Sequence, residues 1–420
     1  MSADPAENTY LVTFETLTYG GEALGRLPDG RAVFVPFVLP GERARVRLTE
    51  EKRRFARGTV VELLEAAPQR IAPRCRHFTA CGGCHYQHLP YAAQAAAKRE
   101  ILKDQLERIG RLADPDVRPT VTAPHAWYYR NTVQFHQDPQ GRLGYINAAG
   151  DAVMPIEECH LPEPALNTLW PQFDLEFLPE LDRLGLRLGS DGTVLATFES
   201  LDPAAPDFQV DFDLSAVHLG PDGSILMAGD DHVVLEVLDR PFRVSAGAFF
   251  QVNALMAEKM VRQLLEEINA VLPLGPETTV LDVYCGVGLF SAFLAERAGQ
   301  VVGVEASPYA TYDFEVNLDE FDNVSLYEGE AGEVLPQLPL KPDVVVLDPP
   351  RAGVELPALE AVLAMSPKVI AYVSCDPATL ARDARRLTEG GYRLAHATPF
   401  DLFPQTYHIE SLSLWLPSPD

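Results

Sequence analysis

Leu281-Asp282-Val283-Tyr284-Cys285-Gly286-Val287-Gly288 joins the end of an apolar strand to a Gly-x-Gly turn, and a helix begins near Phe290. Glycines at such a turn let the backbone approach a nucleotide-like ligand closely. The next strand, Val301-Val302-Gly303-Val304, ends in Glu305, placed to accept hydrogen bonds from ribose hydroxyls. The third glycine of the dinucleotide fingerprint is missing, which argues against NAD. Working outward, Val344-Val345-Val346-Leu347 and Val369-Ile370-Ala371-Tyr372-Val373 are further apolar strands, and Ala254 to Leu272 has helical spacing. Apolar strands separated by helix-length segments predict an α/β fold, an open parallel sheet with helices on both faces.

Ligands of such sheets bind beyond the carboxyl ends of the strands, so the residues that close those strands are the site candidates. Asp348-Pro349-Pro350-Arg351 closes one of them. It reads equally as a crevice acid or as a helix start with proline in its first turn. Ser374-Cys375-Asp376-Pro377 closes the next. A cysteine there is accessible and can act as a nucleophile if its thiolate is favoured; the plain alternative is a packing residue. His408-Ile409-Glu410-Ser411 precedes a final strand, Leu412 to Leu416. One such carboxylate is ordinarily solvated surface, and only its neighbours make Glu410 a candidate.

The N-terminal third has another pattern. Tyr10-Leu11-Val12-Thr13-Phe14, Ala32-Val33-Phe34-Val35, Ala44-Arg45-Val46-Arg47-Leu48 and Gly58-Thr59-Val60-Val61 alternate with the period of strands, separated by turn signals. Short strands without a helix predict a small closed barrel of the oligonucleotide-binding type. Arg43, Arg45 and Arg47 share one face, followed by Lys52, Arg53, Arg54 and Arg57. The formal charge of −26 opposes nucleic-acid binding when taken as one number, but residues 41–112 hold 15 Lys/Arg against 8 Asp/Glu. A basic stretch on an acidic body can place RNA at one location and repel it elsewhere.

Cys75-x5-Cys81-Gly82-Gly83-Cys84 is a ligand signal, and Cys159 is the evident fourth member. Four thiolates suit a structural zinc or an iron–sulfur cluster, and spacing alone does not separate these from each other or from a metal-free thiol group. An alanine-rich helix follows from about Tyr91 to Gly110. At 420 residues with a mean hydropathy near zero, the chain is expected to hold more than one domain. The expected divisions are 1–66 for the barrel, 67–238 for a mixed central domain and 239–420 for the α/β domain, with helix 91–112 a candidate to pack on the latter. Met1 to Pro5 carries no leader pattern and no apolar run is long enough to span a bilayer, so no membrane partner and a cytoplasmic address are expected.

Together these residues resemble the RNA (uracil-5-)-methyltransferase family, in particular its bacterial 23S ribosomal RNA branch, over nearly the whole chain. The resemblance implies a Rossmann-like class I methyltransferase domain, with the barrel an OB-like TRAM domain that binds RNA. It implies S-adenosyl-L-methionine as cofactor, with contacts from Gln251 of Phe250-Gln251-Val252-Asn253 and from Tyr284, Gly286, Gly288, Glu305, Glu330 and Asp348. The cysteine pattern resembles the [4Fe-4S] site of that branch, which implies Cys75, Cys81, Cys84 and Cys159 as ligands. Ser374 to Asp383 resembles the nucleophile motif and His408 to Ser411 the general-base motif. Cys375 would then attack uracil C6 and Glu410 would remove the C5 proton. Tyr128-Tyr129-Arg130-Asn131 resembles a motif that helps position RNA. The target is expected to be 23S ribosomal RNA, with transfer RNA as the other choice, and the protein a monomer. The chain departs from the family pattern at Leu289, where some members carry a polar residue, and at Asp376, where others have asparagine. An amino-group methyltransferase using Asp348, or an iron–sulfur RNA-binding protein without the activity, are the rival readings.

Overall fold

A computed structural model describes residues 9–207 and 213–419. The stretch Met1 to Pro5, read for a leader, lies outside them. Strands Thr9–Leu17, Glu22–Arg26, Ala32–Pro36, Arg43–Glu51 and Phe55–Glu65 close into a barrel. Alternation drives the closure: Val12, Phe14, Val33, Val35, Ala44, Val46 and Ala56 fill the interior while Arg43, Arg45 and Arg47 stay outside. Glu22–Arg26 has no apolar alternation to announce it. It fits because Gly25 has no side chain to collide with Val12.

Helix Tyr91–Arg108 belongs to no single layer. Its Ile101 joins the barrel core, while Leu102 and Leu106 join the core under the C-terminal sheet. Its Lys98 is fully buried and pairs with fully buried Asp401 at 2.6 Å. The central sheet runs in the order Gly223–Ala228, Ser215–Gly220, Val194–Ser200, Leu181–Leu188, Thr132–Gln137, Leu143–Ile146, Val153–Pro155. A ribbon, His232–Val237 with Arg240–Ser245, packs Val233, Leu235, Phe242 and Val244 into the C-terminal core. The expected start of the α/β domain, residue 239, falls in the turn of this ribbon.

The C-terminal sheet runs Val324–Glu328, Gln300–Glu305, Thr279–Val283, Val344–Leu347, Val369–Ser374, Glu410–Pro417, Tyr392–Phe400. Helices Ala254–Val271 and Leu289–Ala295 cover one face; Leu356–Met365 and Pro377–Glu389 cover the other. The expected parallel sheet is present, with one strand reversed. Glu410–Pro417 is antiparallel to both of its neighbours. Apolar periodicity carries no direction, so this reversal had no signature in the sequence. Among the described residues, no helix is long and apolar enough to cross a membrane.

Candidate active site

The turn after Thr279–Val283 is held in left-handed backbone, with φ of 64° at Tyr284, 55° at Gly286 and 92° at Gly288. The two glycines serve different ends. A Cβ on Gly288 would collide with Leu318 and Phe314, whereas Gly286 faces open space. Glu305, at the end of the adjacent strand, accepts from the Gly286 amide at 2.9 Å, from Ala306 at 2.9 Å and from Ser307 at 2.8 Å. The acid expected to hold ribose thus also braces the glycine turn, with lone-pair capacity left over. Among the described residues, two buried polar atoms beside this turn find no hydrogen-bond partner, the Tyr284 hydroxyl and Asp282 Oδ1. Burial, helped by neighbouring carboxylates, pushes Asp282 and Asp348 each up to about 7. Buried acids and a hydroxyl without a partner beside a glycine turn suit a ligand that brings positive charge and hydrogen-bonding groups.

Gln251 is buried, and its carbonyl accepts from Asn131 Nδ2 at 3.2 Å while the Asn131 amide donates to Val252 O at 2.9 Å. Asn253 caps helix Ala254–Val271 by accepting from the Met256 amide. The Arg130-Asn131 motif therefore anchors the Gln251 segment to the central sheet, a bracing part that sequence reasoning missed. Glu330 is exposed and sits just before helix Ala331–Val334. Asp348-Pro349-Pro350 starts no helix; the next helix begins at Leu356, which removes the helix-start reading.

Cys375 and Glu410 meet through strand register. Ser374 pairs with Ser411, so the residue leaving one strand lies beside the residue entering the other. Because Glu410–Pro417 is reversed, its first residue stands at the carboxyl edge where Val369–Ser374 ends. Glu410 is 3% exposed, not solvated, and burial, then Asp348, drives its carboxyl well above the usual range. Cys375 is half-buried, less accessible than a free strand end implies. Burial, then the Glu410, Asp348 and Asp376 carboxylates, pushes its thiol up to about 12. In the free protein the neighbours therefore oppose the thiolate. Asp376 caps helix Pro377–Glu389 through the amides of Ala378 at 2.9 Å and Thr379 at 3.0 Å. Leu289, which departs from the family pattern, is buried in the apolar core.

Asp383 is a second position that sequence reasoning passed over as the end of a motif. Fully buried, it accepts from the Val354 amide and the Tyr372 hydroxyl, each at 2.9 Å, and pairs with Arg382 and Arg386. It pins the loop after Asp348 to the helix after Cys375. A charged residue on the apolar face of a helix was the available signal.

Cys75, Cys81, Cys84 and Cys159 all line one cavity of about 480 Å³, with Arg130, Tyr145, Phe249, His408 and others. Burial pushes the Cys81 thiol up to about 11 and the Cys84 thiol up to about 12, and the charges of the other cysteines act in the same direction. Among the described residues, no three His, Cys, Asp or Glu side chains converge closely enough to share one metal ion. On the barrel, Arg43 pairs with Glu65, Arg45 with Glu62 and Arg57 with Glu22, so part of the basic stretch is neutralised within the chain. Arg47, Arg53 and Arg54 are exposed and make no ion pair among the described residues.

The family described as TRAM domain matches residues 8–61, and the family described as tRNA (Uracil-5-)-methyltransferase matches residues 339–417. An uncharacterized RNA methyltransferase of Halalkalibacterium halodurans is 34% identical, covering 96% of this chain and 96% of its own. Another, from Thermosynechococcus vestitus, is 34% identical over 97% of both chains. In three dimensions the chain is similar to the tRNA (uracil-54, C5)-methyltransferase of Pyrococcus abyssi, whose structure holds S-adenosyl-L-homocysteine. The TM-score is 0.72 at 24% identity, over 96% of this chain and 99% of that one. This likeness shows a shared fold.

Proposed function

Because the chain belongs to the RNA (uracil-5-)-methyltransferase family, we propose that it methylates C5 of a uridine in RNA, with Cys375 as nucleophile and Glu410 as proton acceptor. The observation that carries this reading is the register pairing of Ser374 with Ser411, which sets the two side chains next to each other at the carboxyl edge. S-adenosyl-L-methionine supplies the methyl group when bound, and the glycine turn, the partnerless Tyr284 hydroxyl and the buried acids suit it. Gln251, Tyr284, Gly286, Gly288, Glu305, Glu330 and Asp348 would hold it.

Uracil C5 is too weak a nucleophile alone. The Cys375 thiolate adds to C6, and the electron pair released to the ring makes C5 nucleophilic. C5 takes the methyl group, Glu410 accepts the proton that C5 then carries, and the returning electrons expel the Cys375 thiolate. Burial makes Glu410 a stronger base than a solvated carboxylate. The thiolate that the surrounding acids disfavour becomes accessible once positive charge lies beside Asp348. The uridine must leave its stack to offer C6, and Arg47, Arg53 and Arg54 are the barrel cations left free to meet phosphate.

We infer that Cys75, Cys81, Cys84 and Cys159 hold a [4Fe-4S] cluster that organises the central fold. These cysteines would supply the four thiolates that such a cluster needs. Their common cavity supports one shared bound group, and the resemblance of the cysteine pattern to the family's cluster site is what favours iron–sulfur over zinc. Iron and sulfide analysis of anaerobically purified protein tests this. The RNA is taken as 23S ribosomal RNA, with the protein acting as a cytoplasmic monomer. The matching tRNA (Uracil-5-)-methyltransferase family and the Pyrococcus transfer-RNA enzyme favour transfer RNA as the second reading. Nucleoside mass spectrometry of both RNAs, from cells lacking the protein and cells re-expressing it, decides. Loss of 5-methyluridine at one site, restored by wild type but not by Cys375→Ala, is expected; unchanged levels in both RNAs, with inactive purified protein, sink the reading.

A further inference from the structure

The first turn of the barrel is built into the crevice. Thr18-Tyr19-Gly20-Gly21 links strands Thr9–Leu17 and Glu22–Arg26. The Tyr19 hydroxyl donates to Asp376 Oδ2 at 2.9 Å, and its ring meets Tyr407 edge-on with centroids 5.7 Å apart. Arg351 Nε reaches the same Asp376 oxygen at 3.4 Å, and its Nη2 reaches the Tyr407 hydroxyl at 3.4 Å. Gly21 must lack a side chain because any Cβ there would stand 2.9 Å from His85 Cδ2. The turn is therefore wedged between the nucleophile loop, the loop that precedes Glu410 and the cysteine loop.

Asp376 divides its oxygens. Oδ1 caps the helix that starts immediately after Cys375, while Oδ2 is held from the barrel. The same barrel grips the other partner. Ile409, 1% exposed, lies in the barrel core, while its chain neighbour Glu410 lies in the crevice.

We propose that Tyr19 is a positioning residue for methyl transfer: through Asp376 it keeps the Cys375 loop in place opposite Glu410, which makes the RNA-binding barrel part of the frame that sets the nucleophile. The inference rests on Cys375 being that nucleophile. Attack on a ring carbon depends steeply on approach distance and angle, so a loop freed by a fraction of an ångström loses rate before it loses RNA affinity.

Tyr19→Phe keeps the ring and its contact with Tyr407 and deletes only the hydroxyl. Methylation kinetics of the full-length protein are expected to show kcat lower by about three- to tenfold, with the KM for RNA unchanged to within about twofold. In an Asp376→Asn background the one remaining side-chain oxygen caps the helix and an amide nitrogen replaces the acceptor of the Tyr19 hydroxyl, so the same change should cost less than about twofold. A melting temperature matching wild type separates the effect from unfolding. An unchanged kcat in Tyr19→Phe, beside an inactive Cys375→Ala, overturns the role of Tyr19 alone. A raised KM with kcat intact makes Tyr19 an RNA contact and overturns positioning. A fully active Cys375→Ala overturns the nucleophile on which the inference rests.

Discussion

Cysteines mark two walls of this molecule, and the walls are built in opposite ways. At the carboxyl edge of the C-terminal sheet, Cys375, Glu410 and Asp348 each stand where a strand begins or ends. Backbone ladders set their spacing, so the wall exists before any ligand arrives. Around the cavity of Cys75, Cys81, Cys84 and Cys159, the cysteines come from turns and loop segments. Of these four only Cys81 is in a backbone pairing, an isolated bridge to Asn147, and on the proposed reading a bound cluster would complete the loop geometry. On that reading, the contrast separates chemistry carried by a preformed edge from stability that a bound group would carry.

Cys375→Ala tests the contrast most severely: methylation should fall by roughly 10,000-fold or more, with melting close to wild type. A melting temperature that collapses with activity would place Cys375 in the packing of the edge instead. Glu410→Gln should retain the step that forms the covalent link and lose its resolution by roughly 100-fold or more. Denaturing gels should then show protein that carries RNA, and no such band in the presence of both substrates would remove Glu410 from the proton step. On the other wall, Cys159→Ser should release iron and lower unfolding free energy by about 2 kcal/mol. The kcat of the remaining folded protein should move by less than about threefold; a loss as large as that of Cys375→Ala would erase the distinction between the walls.

The smallest effect concerns protons. A thiol pushed up to about 12 is protonated at neutral pH, so alkylation of Cys375 in the free protein should keep rising as pH climbs past 9. S-adenosyl-L-methionine brings a cation beside the acids and should move the rise to lower pH, while uncharged S-adenosyl-L-homocysteine should move it less. Peptide mass spectrometry reads Cys375 apart from the other cysteines. A plateau below pH 9 without ligand would mean that the acids do not act on this thiol.

Motifs at strand ends were legible because apolar runs such as Val344–Leu347 bound them on one side and prolines or glycines on the other. The Glu22–Arg26 strand was not, since Glu22-Ala23-Leu24-Gly25-Arg26 is held by barrel closure instead of by its own pattern. Nor was the acidity around Cys375, which is assembled from Asp348, Asp376 and Glu410 on separate segments that only the sheet order unites. Tyr19 gave no signal at all: its partner lies 357 positions along the chain.

The reversed strand Glu410–Pro417 borders Tyr392–Phe400 in the sheet and is itself made after it, while Val117 and Val121 add isolated bridges to Ala397 and Phe400. While a ribosome is still making residues 410–417, Tyr392–Phe400 therefore has only those bridges to hold it, and the crevice lacks its Glu410 carboxylate. Of the residues proposed for the site, Glu410 is the last to be translated, so its carboxylate is the last part of the crevice to arrive.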